Sequence, residues 1–297
     1  MNSEILNKRA MSALLNGEFE TAQELFYLNK NTNPCFQTYN NLGLFLYQHG
    51  IVTKSGKEMC AESLGKRYLL KASIFQKNAI VFMNLGEVFF NERKYNESYE
   101  FYSSCYSLLS NDYILYDRAI SLFMQKKYKN AFYLFRNIKS LSNEMIFPFF
   151  VSMAMYDKKS LILGLNANQY NEQISRMDLL DRVIFYYLCE KYSSIIEIEE
   201  RLNEEWSLSY GEWAILIEAF CKQHESERVN LIIKKKLECC ETYNQKRLFK
   251  EVQTLYRCQE KRKATIKNYF DELVFAPMNL CGYFGCDLHL NSWGANI

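Results

Sequence analysis

Two stretches of this chain superpose at a shift of 33 residues, and that periodicity narrows its folds more than any other feature. FNERKYNESYEFYSSCYSLLSND (90–112) lies over FMQKKYKNAFYLFRNIKSLSNE (123–144), placing Phe90 on Phe123, Lys94 on Lys127, Tyr95 on Tyr128, Ser98 on Ala131 and Tyr102 on Phe135. A small residue followed four positions later by an aromatic puts both on one helix face. The small side chain lets a second helix cross closely, and the ring fills the adjoining groove. NGEFETAQELFYLNKNTNP repeats the theme near the start with Phe19, Ala22, Phe26 and Pro34. Copies at a fixed step of 30–40 residues mean stacked units, each burying the face its neighbour leaves open. Composition agrees: Gly (11) and Pro (3) make up under 5% of 297 residues, too few turn formers for an all-β chain or a glycine-rich nucleotide fold.

The segments preceding these copies also align. TYNNLGLFLYQHG (38–50) and FMNLGEVFFNERKY (82–95) share Asn-Leu-Gly followed by a large apolar residue. Leu42, Gly43 and Leu46 stand in one unit and Leu85, Gly86 and Phe89 in the next. Gly65, Leu69 and Ala72, then Ser98, Tyr102 and Cys105, close the two units at small, large and small positions. This pattern resembles the tetratricopeptide repeat family over residues 3–144, as four units. The resemblance implies an all-α, right-handed superhelical solenoid of antiparallel helix pairs. Arg9 and Arg118 depart from it where Leu is expected, and QHGIVTKSGKEMCAES adds about ten residues inside the second unit, as a long surface turn or a lip over a groove.

The family likeness further implies a concave groove lined by the inner helices. On this sequence it falls at Asn40, Leu44, Tyr47, Met83, Glu87, Asn91, Tyr116 and Phe123, with Asn7 and Met11 in the first unit. The Lys of the family's carboxylate-clamp version is missing. The set is apolar and aromatic with amides, which suits an apolar peptide held through its backbone.

Past residue 144 the period fades while helical patterning persists. The expected arrangement is four helix pairs over 1–144, degenerate repeats continuing the solenoid over 145–270, and a non-helical tail over 271–297. DLLDRVIFYYLCEKYSSIIEIEERL (178–202) and KRLFKEVQTLYRCQEKRKATIKNYF (246–270) each read as one helix, and 211–237 as a helix pair turning near His224.

Nothing announces catalysis. Phosphate-binding loops, H-E-x-x-H and G-x-S-x-G are missing, and three histidines (His49, His224, His289) leave few general bases, so the chain reads as a non-enzyme without cofactor. Lys+Arg 36 against Asp+Glu 34 creates no field for nucleic acid. The basic excess over 225–267 alternates with apolar residues at helical spacing, as a solvated face does. Ten cysteines scattered through apolar helical pattern suit a reduced, cytoplasmic protein. The N-terminus carries charges throughout and reads as no signal peptide, and no apolar run is long enough to span a membrane.

The tail breaks every one of these patterns. DELVFAPMNLCGYFGCDLHLNSWGANI holds three of eleven glycines, one of three prolines and one of three tryptophans, and is too apolar to stay wet. Four uses are open: a cap over the last helices, a ligand in the chain's own groove, a metal site at Cys281, Cys286 and His289, or the substrate of a peptide-modifying enzyme acting on Cys281, Cys286, His289 or Trp293. In that last case the helices are a leader and the partner is the modifying enzyme. Otherwise the partner is a protein or peptide. The reading preferred from sequence puts 271–286 on the C-terminal helices.

Overall fold

The structure, a computed structural model, describes residues 2–52, 58–59, 61–166, 168–199, 208–240, 242–278 and 281–286. It is an all-α helical-repeat chain in two compact units. Residues up to Ser140 form the first unit together with the described residues from Ala276 onward, and Leu141–Phe275 form the second.

The first unit holds four helix pairs: α1 (Ser3–Leu15) with α2 (Phe19–Thr32), α3 (Phe36–His49) with α4 (Glu62–Phe75), α5 (Ala79–Asn91) with α6 (Tyr95–Leu108), and α7 (Asp112–Met124) with α8 (Tyr128–Arg136). Local chemistry sets their ends. Asn2, Asn78 and Asn111 cap α1, α5 and α7, each accepting a backbone N–H two residues on. The first, third and fourth pairs turn through a left-handed residue: Gly17, Arg93 and Lys126. There the next N–H reaches back to the inner helix, as from Lys94 to Phe89 O and from Lys127 to Leu122 O (2.8 and 3.0 Å).

The small-then-large pattern does what its spacing requires. Ala22, Phe26, Leu69, Ala72, Ser98, Tyr102, Cys105, Ala131 and Phe135 are all buried. Gly43 and Gly65 face each other where α3 crosses α4; a Cβ on Gly65 would stand 2.6 Å from the Gly43 carbonyl oxygen. A Cβ on Gly86 would enter the ring of Tyr102. Arg118 replaces the expected Leu by laying its guanidinium over Tyr106 and Tyr99 (4.8 and 5.6 Å to the ring centroids). In the insertion, β1 (Ile51–Val52) pairs antiparallel with β2 (Glu58–Met59), and Ile51 packs on the cluster of Phe26 and Phe45.

The second unit contains α9 (Asn143–Asn166), α10 (Asn171–Arg176), α11 (Leu179–Leu188), α12 (Tyr192–Glu199), α13 (Tyr210–Lys222), α14 (Ser226–Glu238), α15 (Tyr243–Arg257) and α16 (Gln259–Asp271). The pair turning at His224 is there, with His224 itself left-handed at φ 61°. Two sequence expectations need correction. The single helix over 178–202 is broken at Glu190, another left-handed residue (φ 59°). The single helix over 246–270 is two helices, because Cys258 is extended (φ −121°, ψ 101°). Apolar periodicity ran through both breaks and hid them. Asp157 kinks α9, and its carboxylate accepts the N–H of Ser160 to restart the helix (3.1 Å). Phe150 meets Phe185 at 4.8 Å in the core, and Gly211 lies against the ring of Tyr269. Arg262 and Glu218 form a buried ion pair at 2.6 Å, and Arg262 also donates to the Leu255 carbonyl at 2.9 Å.

Candidate functional site: an amide-lined groove holding the tail

The described part of the tail does not pack on the C-terminal helices. Phe275 still meets Phe147 of α9 at 5.7 Å, but from Ala276 onward the chain belongs to the first unit. It runs along the inner helices from the fourth pair back to the first. The variant in which the tail occupies the chain's own groove is the one the structure contains.

Backbone groups of the tail make most of these bonds. The Tyr116 hydroxyl donates to Ala276 O (3.3 Å), and the Met278 N–H donates to Asp117 Oδ1 (2.8 Å). Asn40 and Asn84 both donate to Gly282 O, at 2.8 and 2.9 Å, while Asn84 also donates to Asn40 Oδ1 at 2.8 Å. Asn41 grips Phe284 twice, accepting its N–H at 2.8 Å and donating to its carbonyl at 2.9 Å. Asn7 Oδ1 accepts from Asn41 (3.2 Å) and from Asn29 (2.8 Å), which fixes the orientation of the Asn41 amide.

A register underlies this. Asn41, Asn84 and Asp117 occupy the same position in three consecutive repeats, next to Asn40, Met83 and Tyr116. Each repeat contributes one rung: Asp117 to Met278, Asn84 to Gly282, Asn41 to Phe284. An amide offers donor and acceptor at once, so it substitutes for a neighbouring strand without reading side chains.

Side chains fill the space between rungs. Tyr283 stacks on Phe26 (5.9 Å, 18° between planes) and donates to Gln48 Oε1 at 3.0 Å. Phe284 meets Phe36 edge-on at 5.3 Å. Cys286 is buried with Ala10, Met11 and Ala13, and Cys281 packs against the same cluster. Gly282 is obligatory where it stands, since any Cβ would collide with the amide of Asn84.

The electrostatics are those of a dry site. Asp117 is fully buried, and burial pushes its carboxyl well above the ordinary carboxylate range, with the Met278 N–H opposing. Burial also raises Glu87 on α5 and lifts the Cys105 thiol to about 12. Among the described residues, Asp117 Oδ2 and Asn84 Oδ1 have no hydrogen-bond partner.

Of the residues expected to line the groove, Asn40 and Tyr116 touch the tail through hydrogen bonds. Leu44 and Met83 are buried in the apolar clusters beneath it, and Tyr47 packs beside them. Tyr47 hydrogen-bonds Asn91. Glu87 is half-buried, and Phe123 is buried against Tyr128 at 5.1 Å. Asn41, Asn84 and Asp117 were not among the expected residues, although the shared Asn-Leu-Gly of two repeats contained the signal. Among the described residues no group of three His, Cys, Asp or Glu side chains could hold a metal ion, and His289 and Trp293 lie outside the described residues. No helix among the described residues is long and apolar enough to cross a membrane.

No protein-family model and no curated protein matches the sequence. Solved structures do. A tetratricopeptide repeat protein from Parabacteroides merdae ATCC 43184 aligns with TM-score 0.54 and 18% identity, over 86% of this chain and 99% of its own. Pseudomonas aeruginosa pilF aligns at TM-score 0.47 and 12% identity, over 85% of this chain and 96% of its own. Yeast Tom70 aligns at TM-score 0.45 and 14% identity, over 92% of this chain and 59% of its own. At such identities a likeness speaks for the fold, and the first of them agrees with the helix pairs, the left-handed turns and the close glycine crossings: this chain has the fold of a tetratricopeptide repeat protein.

Proposed function

We propose that the first unit is a non-enzymatic peptide-binding scaffold that grips an extended apolar segment by its backbone, with residues 276–286 seated there in cis. The observation that carries this reading is the two-way bond of Asn41 to the Phe284 backbone, repeated in kind by Asn84 and Asp117 along the groove. Rungs of this sort accept many sequences, so a protein or peptide partner with a similar apolar segment competes with the tail for them. The competition is uneven, because a tethered segment has an effective concentration on the order of millimolar. The carrier reading, with the tail as an enzyme's substrate, is disfavoured by the burial of Gly282 and Cys286. Scattered free thiols fit a cytoplasmic setting.

The test is a double variant, Asn41→Ala with Asn84→Ala. It deletes three bonds to the tail, each worth about 1 kcal/mol net. Chymotryptic cleavage after Tyr283 and Phe284 should accelerate roughly tenfold or more, with helicity intact. A Gly282→Val variant, which frees the tail and keeps the rungs, should capture a synthetic peptide of residues 276–286 that the wild type and the double variant ignore. Unchanged cleavage in a folded double variant overturns the reading.

A further inference from the structure

The docked tail brings together two thiols that an extended chain would hold apart. Five residues of strand span about 17 Å, yet the Cys281 thiol shares a hydrogen bond with Cys286, and its sulfur also accepts the Tyr283 N–H. Gly285 makes this possible by adopting φ 80° between them, beside Asn7. The groove fixes the fold of this short segment from both sides: Asn84 and Asn40 hold Gly282, and Asn41 holds Phe284. Cys286 is pinned in the cluster of Ala10, Met11 and Ala13. Neither cysteine is a remnant of the repeat pattern, and neither is used by the rungs.

We propose that Cys281 and Cys286 are a dithiol–disulfide pair templated by the groove, closing a six-residue ring whose formation and whose docking reinforce each other. The proposal rests on the peptide-groove reading and adds its regulation. The oxidant is a low-molecular-weight disulfide. One tail thiolate attacks a sulfur of that disulfide and releases one thiol. The second tail thiolate then attacks the protein-side sulfur of the mixed disulfide and releases the other. Two S–H bonds and one S–S bond are lost, one S–S bond and two small-molecule S–H bonds are gained, and the tail gives up two electrons. Burial lifts the docked Cys281 thiol to about 11, so exchange runs through moments when the tail is open, while the equilibrium is set by the docked geometry. Linkage makes the effect reciprocal: the factor by which docking favours the ring is the factor by which the ring favours docking. An oxidised tail therefore holds the groove more tightly against a competing peptide than a reduced one.

The chain suits a direct measurement. No Lys or Arg follows Lys267, so trypsin yields one fragment, 268–297, containing Cys281 and Cys286 as its only cysteines. Full-length protein and a synthetic peptide of residues 276–286 are equilibrated in glutathione buffers of graded composition, quenched with acid, alkylated and weighed. The ring should form in the full chain at a glutathione ratio about tenfold more reducing than in the free peptide. Equal midpoints, or mixed glutathione adducts in place of a ring, overturn the proposal. The Asn41→Ala, Asn84→Ala variant separates the two ideas. A tail released by proteolytic criteria that keeps the wild-type midpoint sinks the templating and spares the groove. A tail still protected in that variant sinks the rung reading, while the comparison of full chain with peptide continues to decide the ring.

Discussion

Both units bury polar side chains, and they satisfy them in opposite ways. In the second unit the buried charges, Glu218 and Arg262, meet each other, and Arg262 Nη1 donates to the Leu255 and Tyr256 carbonyls of the same unit. In the first unit Asn40, Asn41, Asn84 and Asp117 are buried along the inner helices, and their partners include main-chain groups some 160 to 240 residues further along the chain. A repeat that closes its polar groups on itself is finished. A repeat whose amides bond a distant backbone is open in the sense of the proposed peptide-binding reading, and here the chain supplies that backbone itself.

The sharpest break of this contrast lies in the second unit. Arg262→Ala leaves the buried Glu218 carboxylate with only the half-exposed Lys222, 3.9 Å away, as a cation partner, and removing one member of a buried pair costs about 3–5 kcal/mol. Urea unfolding should show that loss in the second unit while the protection of Tyr283 and Phe284 from chymotrypsin persists. Loss of tail protection at the same time would erase the distinction. Next in size is Gly282→Val, whose side chain has no room beside Asn84. It should free the tail and cost about 1–3 kcal/mol, leaving the helices formed; a protected tail in that variant would contradict the geometry.

The repeats themselves were legible because helix pairs are encoded locally, in small and large residues spaced to share a face, as at Ala131 and Phe135. Even Arg118, a departure from pattern, keeps the site by stacking on Tyr106. The tail was half legible. Its apolar content showed that it must be buried, and amide hydrogen bonds to a peptide backbone were expected of the groove. Its docking place was hidden, because backbone-to-amide rungs leave no complementary side chains to recognise and the partners lie far apart in sequence. Asn41, Asn84 and Asp117 read as ordinary polar positions until their shared register is noticed. Breaks at Glu190 and Cys258 were hidden for a different reason: left-handed or extended single residues need no glycine or proline to mark them.

A smaller effect is set by pH. Because the Asp117 carboxyl is raised, its contribution is full below the ordinary carboxylate range and is lost as pH rises through the raised value. Glu87, whose carboxyl is raised too, pushes the Asp117 carboxyl further up, and Tyr102 and Cys105 on α6 lie close enough to Asp117 to be raised by it in turn. Urea unfolding of the first unit should require more denaturant at about pH 5.5 than at about pH 8.5. Asp117→Asn retains an acceptor for Met278 and should flatten that dependence; a slope surviving in this variant would place its origin elsewhere. The smallest change is Arg118→Ala, which forfeits the stacking on Tyr99 and Tyr106 for about 0.5–1 kcal/mol. It should lower the stability of the first unit and leave the tail in place, since Arg118 belongs to no rung. Release of the tail by this variant would mean that general stability, rather than the rungs, holds it.

The order of synthesis gives the reversed path of the tail a meaning of its own. Asn41 leaves the ribosome early, and Phe284, its partner, follows 243 residues later. Until the second unit has been made, the first four helix pairs stand with an open, amide-lined trough, available to chaperones, proteases or a passing peptide. Only chains that have been read through residue 286 can close it. Docking thus reports that synthesis has passed beyond the second unit, and a nascent chain stalled within that unit would display the open trough.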